Sequence, residues 1–157
     1  MRIYKLEYIQ LLPINRTECW KFFSDAQNLQ KITPPEMNFE IKSELPHEIY
    51  PGQIIIYQIK LFPGIKIKWV TEITHIKEEN YFVDEQRFGP YKFWHHQHLF
   101  NEVSGGMEIK DIVHYSIHLG ILGRIMNKLI IHKKLENIFK FRKEYLGDTF
   151  KINQRVN

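Results

Sequence analysis

Cysteine is nearly absent from the 157 residues: Cys19 stands alone, so no intrachain disulfide can form. Its neighbours Trp20, Phe22 and Phe23 mark it as a thiol packed beside a helix core, the alternative being a reactive thiol. Long apolar runs are also missing, and nothing approaches the roughly 20 consecutive apolar residues of a membrane span. Residues 1–12 mix Arg2, Lys5 and Glu7 with apolar side chains and carry no secretion signal, which makes the cytoplasm the expected location. No repeat, low-complexity tract or linker divides the chain, so one domain is expected over residues 1–157. A strong charge of one sign is lacking too: the net charge is +4, from 22 Lys plus Arg against 18 Asp plus Glu. The basic residues are scattered except for Lys133, Lys134, Lys140, Arg142 and Lys143, which read as the solvated face of a helix. No groove-reading motif or basic-aromatic platform accompanies them, so no nucleic-acid binding is expected.

What is present is an ordinary globular composition, 43% hydrophobic and 25% charged. A chain of this length buries roughly 70% of its extended surface, enough for one sizeable core without a metal staple. Residues 2–12 alternate with Tyr4, Leu6, Tyr8 and Leu12 on one side, the signature of a half-buried strand ended by Pro13. Asn15 followed by Glu18 resembles a capping box and opens a helix carrying Cys19, Trp20 and Phe23. A second short helix, from about Asp25 to Ile32, is stopped by Thr33-Pro34-Pro35.

From Met37 the period becomes two. Strands are predicted over 37–45, 53–62, 65–77, 81–88, 92–103 and 106–118. Between them stand Pro51-Gly52, Pro63-Gly64, Glu78-Glu79-Asn80, Gly89-Pro90 and Ser104-Gly105-Gly106, turns short enough to imply antiparallel neighbours. The segment from Ile121 to about Leu146 is helical, but its apolar stripe moves. Leu122, Ile125, Met126 and Leu129 share one side, and Ile131, Leu135, Ile138, Phe139, Tyr145 and Leu146 nearly the opposite one. A break or strong kink near residues 128–132 is therefore predicted, with a second piece over about 132–147 lying across the sheet. The order is one strand, two short helices, six strands and a terminal helix: an α+β fold with a curved antiparallel sheet of about seven strands.

Strand parity yields the chemistry. The face that carries Met107, Ile109, Val113, Tyr115 and Ile117 also carries Asp111, and Trp94 and Phe100 share theirs with His96 and His98. Phe82 and Phe88 bring Asp84 and Gln86, and Ile65, Ile67, Trp69 and Ile73 bring Thr71; His95 falls outward with Phe93 and Gln97. Hairpins centred on Gly89-Pro90 and Ser104-Gly105 set Asp84 opposite His96 and Asp111 opposite His98, in side-chain contact. Buried carboxylates need partners, so these groups should bond one another, Gln86, Thr71 and Tyr115, or water in a cavity. Four readings stay open: a structural network that fixes register, the polar floor of a binding cavity, acid-base catalysis by a carboxylate-oriented imidazole, and a metal held by the two histidines and a carboxylate. Nothing else in the sequence demands a metal or other cofactor, and none is expected. Trp20, Phe39, Tyr57 and Phe139 read first as core aromatics.

Asn28-Leu29, Ile32-Thr33-Pro34-Pro35, Gly52, Trp69-Val70-Thr71-Glu72-Ile73, Asp84-Glu85-Gln86, Gly89-Pro90-Tyr91, the spaced Trp94, His96, His98, Phe100 run, Gly105-Gly106 and Asp111-x-Val113-x-Tyr115 together resemble the START-like (SRPBCC) superfamily. They resemble in particular a bacterial branch labelled polyketide cyclase-like or cell-division-inhibitor-like, over residues 3–147. The resemblance implies a helix-grip fold with a deep, mainly hydrophobic cavity, and it says far less about activity, because members of one fold serve as carriers, receptors and enzymes. The expectation is a binder of a small hydrophobic or amphipathic ligand, with Trp69, Trp94, Tyr115 and Phe139 as walls and Thr71, Asp84, Gln86, His96, His98 and Asp111 as polar groups. One alternative is a cyclase or dehydratase in which His96 or His98 moves a proton and Asp84 or Asp111 orients the ring. Another is an interaction module with a filled cavity, its partner held by Lys133, Lys134 and Lys140.

Overall fold

The structure, a computed structural model, describes residues 2–46, 48–62, 64–118 and 120–153. Strand β1 (Tyr4–Leu12) leads into helices α1 (Arg16–Phe23) and α2 (Asn28–Lys31), and a 3-10 turn over Pro35–Met37 precedes β2 (Glu40–Ile41). Five long strands follow: β3 (Ile54–Phe62), β4 (Ile65–Lys77), β5 (Tyr81–Phe88), β6 (Phe93–Val103) and β7 (Gly106–Ser116). Helix α3 (Gly120–Met126), a π-helical stretch over Asn127–Ile131 and helix α4 (His132–Asn153) end the described chain.

All seven strands join one sheet in the order β1-β7-β6-β5-β4-β3-β2, with every pair antiparallel. The β1–β7 pairing joins strands far apart in sequence, whereas the strands from β3 to β7 follow one another through short connections and β2 reaches β3 through residues 42–53. Register shifts between Lys60 and Phe62, Val70 and Thr71, and Ile73 and His75 add bulges that bend the strands, which gives the sheet a concave face. The Pro63 half of the predicted Pro63-Gly64 turn lies outside the described residues.

The α1 start is as its sequence implies, with the Glu18 amide donating to Asn15 Oδ1 at 2.8 Å. Cys19 is fully buried, and burial pushes its thiol pKa up to about 12, which suits packing and not nucleophilic chemistry. Helix α4 lies against the concave face in the helix-grip manner. Leu135, Phe139, Arg142, Leu146 and Phe150 are its buried stripe, spaced three or four residues apart. Phe139 stacks on Tyr8 at 4.2 Å between ring centres, Phe150 meets Phe22 edge-on at 5.2 Å, and Gln10 donates to the Lys143 carbonyl at 2.9 Å.

Several expectations need correction. The strand over 37–45 shrinks to Glu40–Ile41, because Asn38 adopts a left-handed conformation (φ 42°) after the 3-10 turn. Beyond it, the Ser43 hydroxyl accepts from the Ile56 amide, so a side chain replaces a ladder bond. The final helix runs to Asn153 and brings in Phe150 as core, beyond the predicted end near 147. No break interrupts the helix: a π-helical stretch over Asn127–Ile131 stands where a break or strong kink was expected, and the first stripe is not packed inward, Ile125 and Leu129 being 52% and 66% exposed. The side chain of Leu122 lies outside what the structure describes. The π-helical stretch instead turns Asn127 inward, where its carbonyl oxygen accepts from the Tyr115 hydroxyl at 3.0 Å.

A carboxylate and imidazole ring on the concave sheet

Three adjacent strands build the polar cluster. In the β5–β6 pair Asp84 stands opposite His96, and in the β6–β7 pair His98 stands opposite Asp111, as hairpin counting requires. His96 and His98 are two apart on β6, so both face the concave side between the two acids. The shortest bonds nevertheless run diagonally: His96 Nε2 to Asp111 Oδ1 and His98 Nε2 to Asp84 Oδ2, each 2.9 Å. The second nitrogens close the figure. His96 Nδ1 is 3.3 Å from Asp84 Oδ2, and His98 Nδ1 is 2.9 Å from Asp111 Oδ1, the latter off the line a hydrogen bond needs. The result is a four-cornered ring in which each imidazole lies between two carboxylates and each carboxylate between two imidazoles.

Ionised carboxylates only accept hydrogen bonds, so a nitrogen facing one is best protonated. Burial disfavours the charged form of His96, but Asp84, followed by Asp111, outweighs it and raises the pKa above the usual value. Burial likewise works against both acids, and the two imidazoles reverse it, led by His96 in each case, holding the carboxyls below the usual range. Arg142 adds to the depression of Asp111, its Nη1 3.6 Å from Oδ1. The α4 helix thus delivers a guanidinium to the ring, and it also lies over Phe139 at 4.9 Å from the ring centre.

Arg142 is the functional candidate that sequence reasoning assigned to solvent. It is 7% exposed, and the signal was there: it falls between Phe139 and Leu146 on the apolar stripe. Neither its Nε nor its Nη1 has a hydrogen-bond partner. Asn127 and Tyr91 were also missed. Asn127 is legible only once the π-helical phase is known, and Tyr91 packs against Trp94 at 4.8 Å and Trp69 at 5.4 Å between ring centres.

Beside the ring lies a cavity of about 160 Å³, partly open to solvent. One water needs roughly 10–15 Å³ on this measure, so there is room for a small organic molecule, and the interior is not the filled one expected of a pure interaction module. Trp69, Thr71, Asp84, Trp94, His96, His98 and Phe139 border it, together with Arg142 and apolar residues of α2, β3 and α4. Thr71 engages the Tyr57 hydroxyl at 2.9 Å and leaves the ring alone. Trp69 Nε1 is buried without an acceptor.

Gln86, Asp111 and Tyr115, expected among the ligand-facing groups, do not border this cavity. Gln86 folds back on its own hairpin: its amide nitrogen donates to the Tyr91 carbonyl at 2.7 Å and its oxygen accepts from the Tyr91 amide at 3.2 Å. Asp111 faces instead a void of about 20 Å³ bordered by Tyr8, Gln10 and Arg142, space for about one water. The Tyr115 ring is wholly buried, stacked on Tyr4 at 5.4 Å, with its hydroxyl committed to Asn127. His95 faces the other side of the sheet and contacts Glu85 at 2.9 Å, as parity implies.

Asp84, His96 and His98 also offer ligand atoms within 4.8 Å of one another, a donor set suited to a divalent transition metal. Binding there would require proton loss from nitrogens that face carboxylates, next to a guanidinium. The geometry is that of a proton-bridged network.

No protein-family model matches the sequence, and no curated protein does. The fold has many solved counterparts. The Zhui aromatase/cyclase from Streptomyces sp. R1128 superposes with a TM-score of 0.75 at 12% identity, over 99% of this chain and 97% of that one. Protein TTHA0849 from Thermus thermophilus gives 0.67 at 15% identity over 91% and 97%, and Ara h 8.0201 gives 0.61 at 17% over 92% and 98%. At these identities the likeness concerns the fold alone, a curved antiparallel sheet gripping a long C-terminal helix.

Proposed function

We propose that this protein binds a small hydrophobic or amphipathic molecule in the cavity between the concave sheet and α4. The observation that carries the reading is a void of about 160 Å³ with mostly apolar walls and a few convergent polar groups, Asp84, His96, His98 and Arg142. Such a space is costly to leave unfilled, since its lining forgoes dispersion contacts. A bound molecule supplies them. One of the fold neighbours supports a ligand-handling role by its name, the aromatase/cyclase. Among the described residues no helix is long and apolar enough to cross a membrane.

The test is native mass spectrometry of purified protein together with uptake of the neutral dye Nile red. A retained small molecule, or saturable dye binding reversed by an apolar competitor, supports the reading. Protein that carries nothing and takes up no dye overturns it. A second reading, an enzyme of the cyclase or dehydratase kind, draws on His96, an imidazole with a raised pKa at the cavity wall: with Nε2 held by Asp111 at 2.9 Å, it would give up the longer Nδ1 contact to Asp84, 3.3 Å, to donate a proton to a bound carbonyl or hydroxyl oxygen. In that reading His96→Gln abolishes turnover of a bound substrate while dye affinity stays within a factor of about three of wild type.

A further inference from the structure

The ring of Asp84, His96, Asp111 and His98 meets its hydrogen-bonding needs largely from within, through His96 Nε2 to Asp111 Oδ1 and His98 Nε2 to Asp84 Oδ2 at 2.9 Å each. Each imidazole lies between two carboxylate oxygens at 2.9–3.3 Å, with His98 Nδ1 the nitrogen off the line of a hydrogen bond. Arg142 is then left over. Its guanidinium is buried, stops 3.6 Å from an oxygen that already receives His96 at 2.9 Å, and points Nε and Nη1 at no acceptor. Asp111 is its ion-pair partner among the described residues, yet buried N–H groups left without an acceptor are costly, and a protein keeps them where something else supplies one. Arg142 borders the main cavity, as does Trp69, whose indole N–H is likewise buried and without an acceptor. The cavity wall therefore carries two side chains with unused donors, a guanidinium and an indole N–H, among apolar neighbours.

Resting on the cavity as a ligand site, we infer that its ligand is an amphipathic carboxylic acid bound as the carboxylate. The anion sits on Arg142, and the hydrocarbon body lies along Phe139, Trp94 and Trp69. A carboxylate matches the planar guanidinium fork and supplies the acceptor that its buried donors lack. An oxygen further along the ligand would satisfy Trp69. An alkyl amine meets the opposite situation, since it would bring a like charge beside Arg142 and no acceptor for its donors.

Three probes of equal length decide this: decanoate, methyl decanoate and decylamine, each titrated against Nile red on the unmodified protein at pH 7. Decanoate is expected to displace the dye at a concentration about 10- to 100-fold below that of the ester, the range of one charge-assisted pair, with the amine weakest. In Arg142→Met decanoate is expected to fall to the level of the ester while the ester is unchanged. Equal binding of acid and ester, a preference for the amine, or an unchanged acid preference in Arg142→Met would each overturn the inference and leave the cavity reading standing. Failure of all three probes and the dye together would remove the cavity reading itself. Should Arg142→Met not fold, the series on unmodified protein decides alone.

Discussion

Replacing Asp111 by asparagine is the most direct probe of the ring, because it removes one negative corner and keeps the volume. Asp111 is 5% exposed and is approached by His96 Nε2 at 2.9 Å, His98 Nδ1 at 2.9 Å and Arg142 Nη1 at 3.6 Å. Solvent does little to screen these contacts. Breaking a buried pair by removing one partner costs about 3–5 kcal/mol, since the remaining cations lose their counterion inside the protein. The amide oxygen of the asparagine still accepts from His96, which puts the expected loss near the lower end, about 3 kcal/mol. For a chain of this size about 2–4 °C accompanies each kcal/mol, so the melting temperature should fall by about 6–12 °C. Thermal unfolding followed by circular dichroism at pH 6 measures it. A double-mutant cycle with His96→Gln adds the pairwise quantity: the second change should cost clearly less in the Asp111→Asn variant than in wild type. A single-variant loss below about 1 kcal/mol, or costs that simply add, would refute the claim that these side chains act as one ionic unit.

The pH dependence of stability carries the same ionic logic. His96 has a raised pKa, so its contribution to stability is complete below the unfolded value near 6.5 and is lost as the pH climbs through the folded one, whereas both ring acids lie below their usual 3.8 and lose their contribution as the pH drops through their folded values. The melting temperature should therefore decline above about pH 6.5, with a shallower decline in His96→Gln, and a wild-type melting temperature that rises from about pH 6.5 to 9 would contradict the assignment. Gly106 opens β7 at φ 144°, and a Cβ there would run into the Leu12 carbonyl oxygen, so Gly106→Ala should destabilise by about 2 kcal/mol or more, read from urea denaturation, with no measurable loss counting against the close β1–β7 approach.

The sheet was legible because period-two alternation and turn chemistry each constrain it independently, and they agree. Gly89-Pro90 and Ser104-Gly105-Gly106 pin the two hairpins that carry the cluster, so Asp84 and His96, and His98 and Asp111, could be paired on counting alone. What counting cannot give is rotamers. Opposed residues were paired in sequence, yet the shortest bonds join His96 to Asp111 and His98 to Asp84, because each imidazole also reaches the acid beyond its neighbour. Gln86 shows the same limit: parity turns it inward, and its amide then bends back to clamp the Tyr91 backbone. Arg142 was lost for another reason. Residue type was allowed to override helical period, and the period was the better guide.

That failure bears on how the site works. A ring of two acids and two imidazoles can be buried because each charge lies next to its opposite, and by itself it would make a sound register device between β5, β6 and β7 with no need for a ligand. Arg142 does not fit that role. It comes from α4, contributes nothing to strand register, reaches Asp111 only at 3.6 Å, and presents its donors at the wall of the cavity under that helix. A purely structural network would gain from a neutral residue of similar volume at this position, since burying guanidinium donors that lack acceptors is unfavourable. The guanidinium whose donors the fold leaves unmet also borders the cavity, and this coincidence, more than the histidines themselves, separates a binding floor from a structural one.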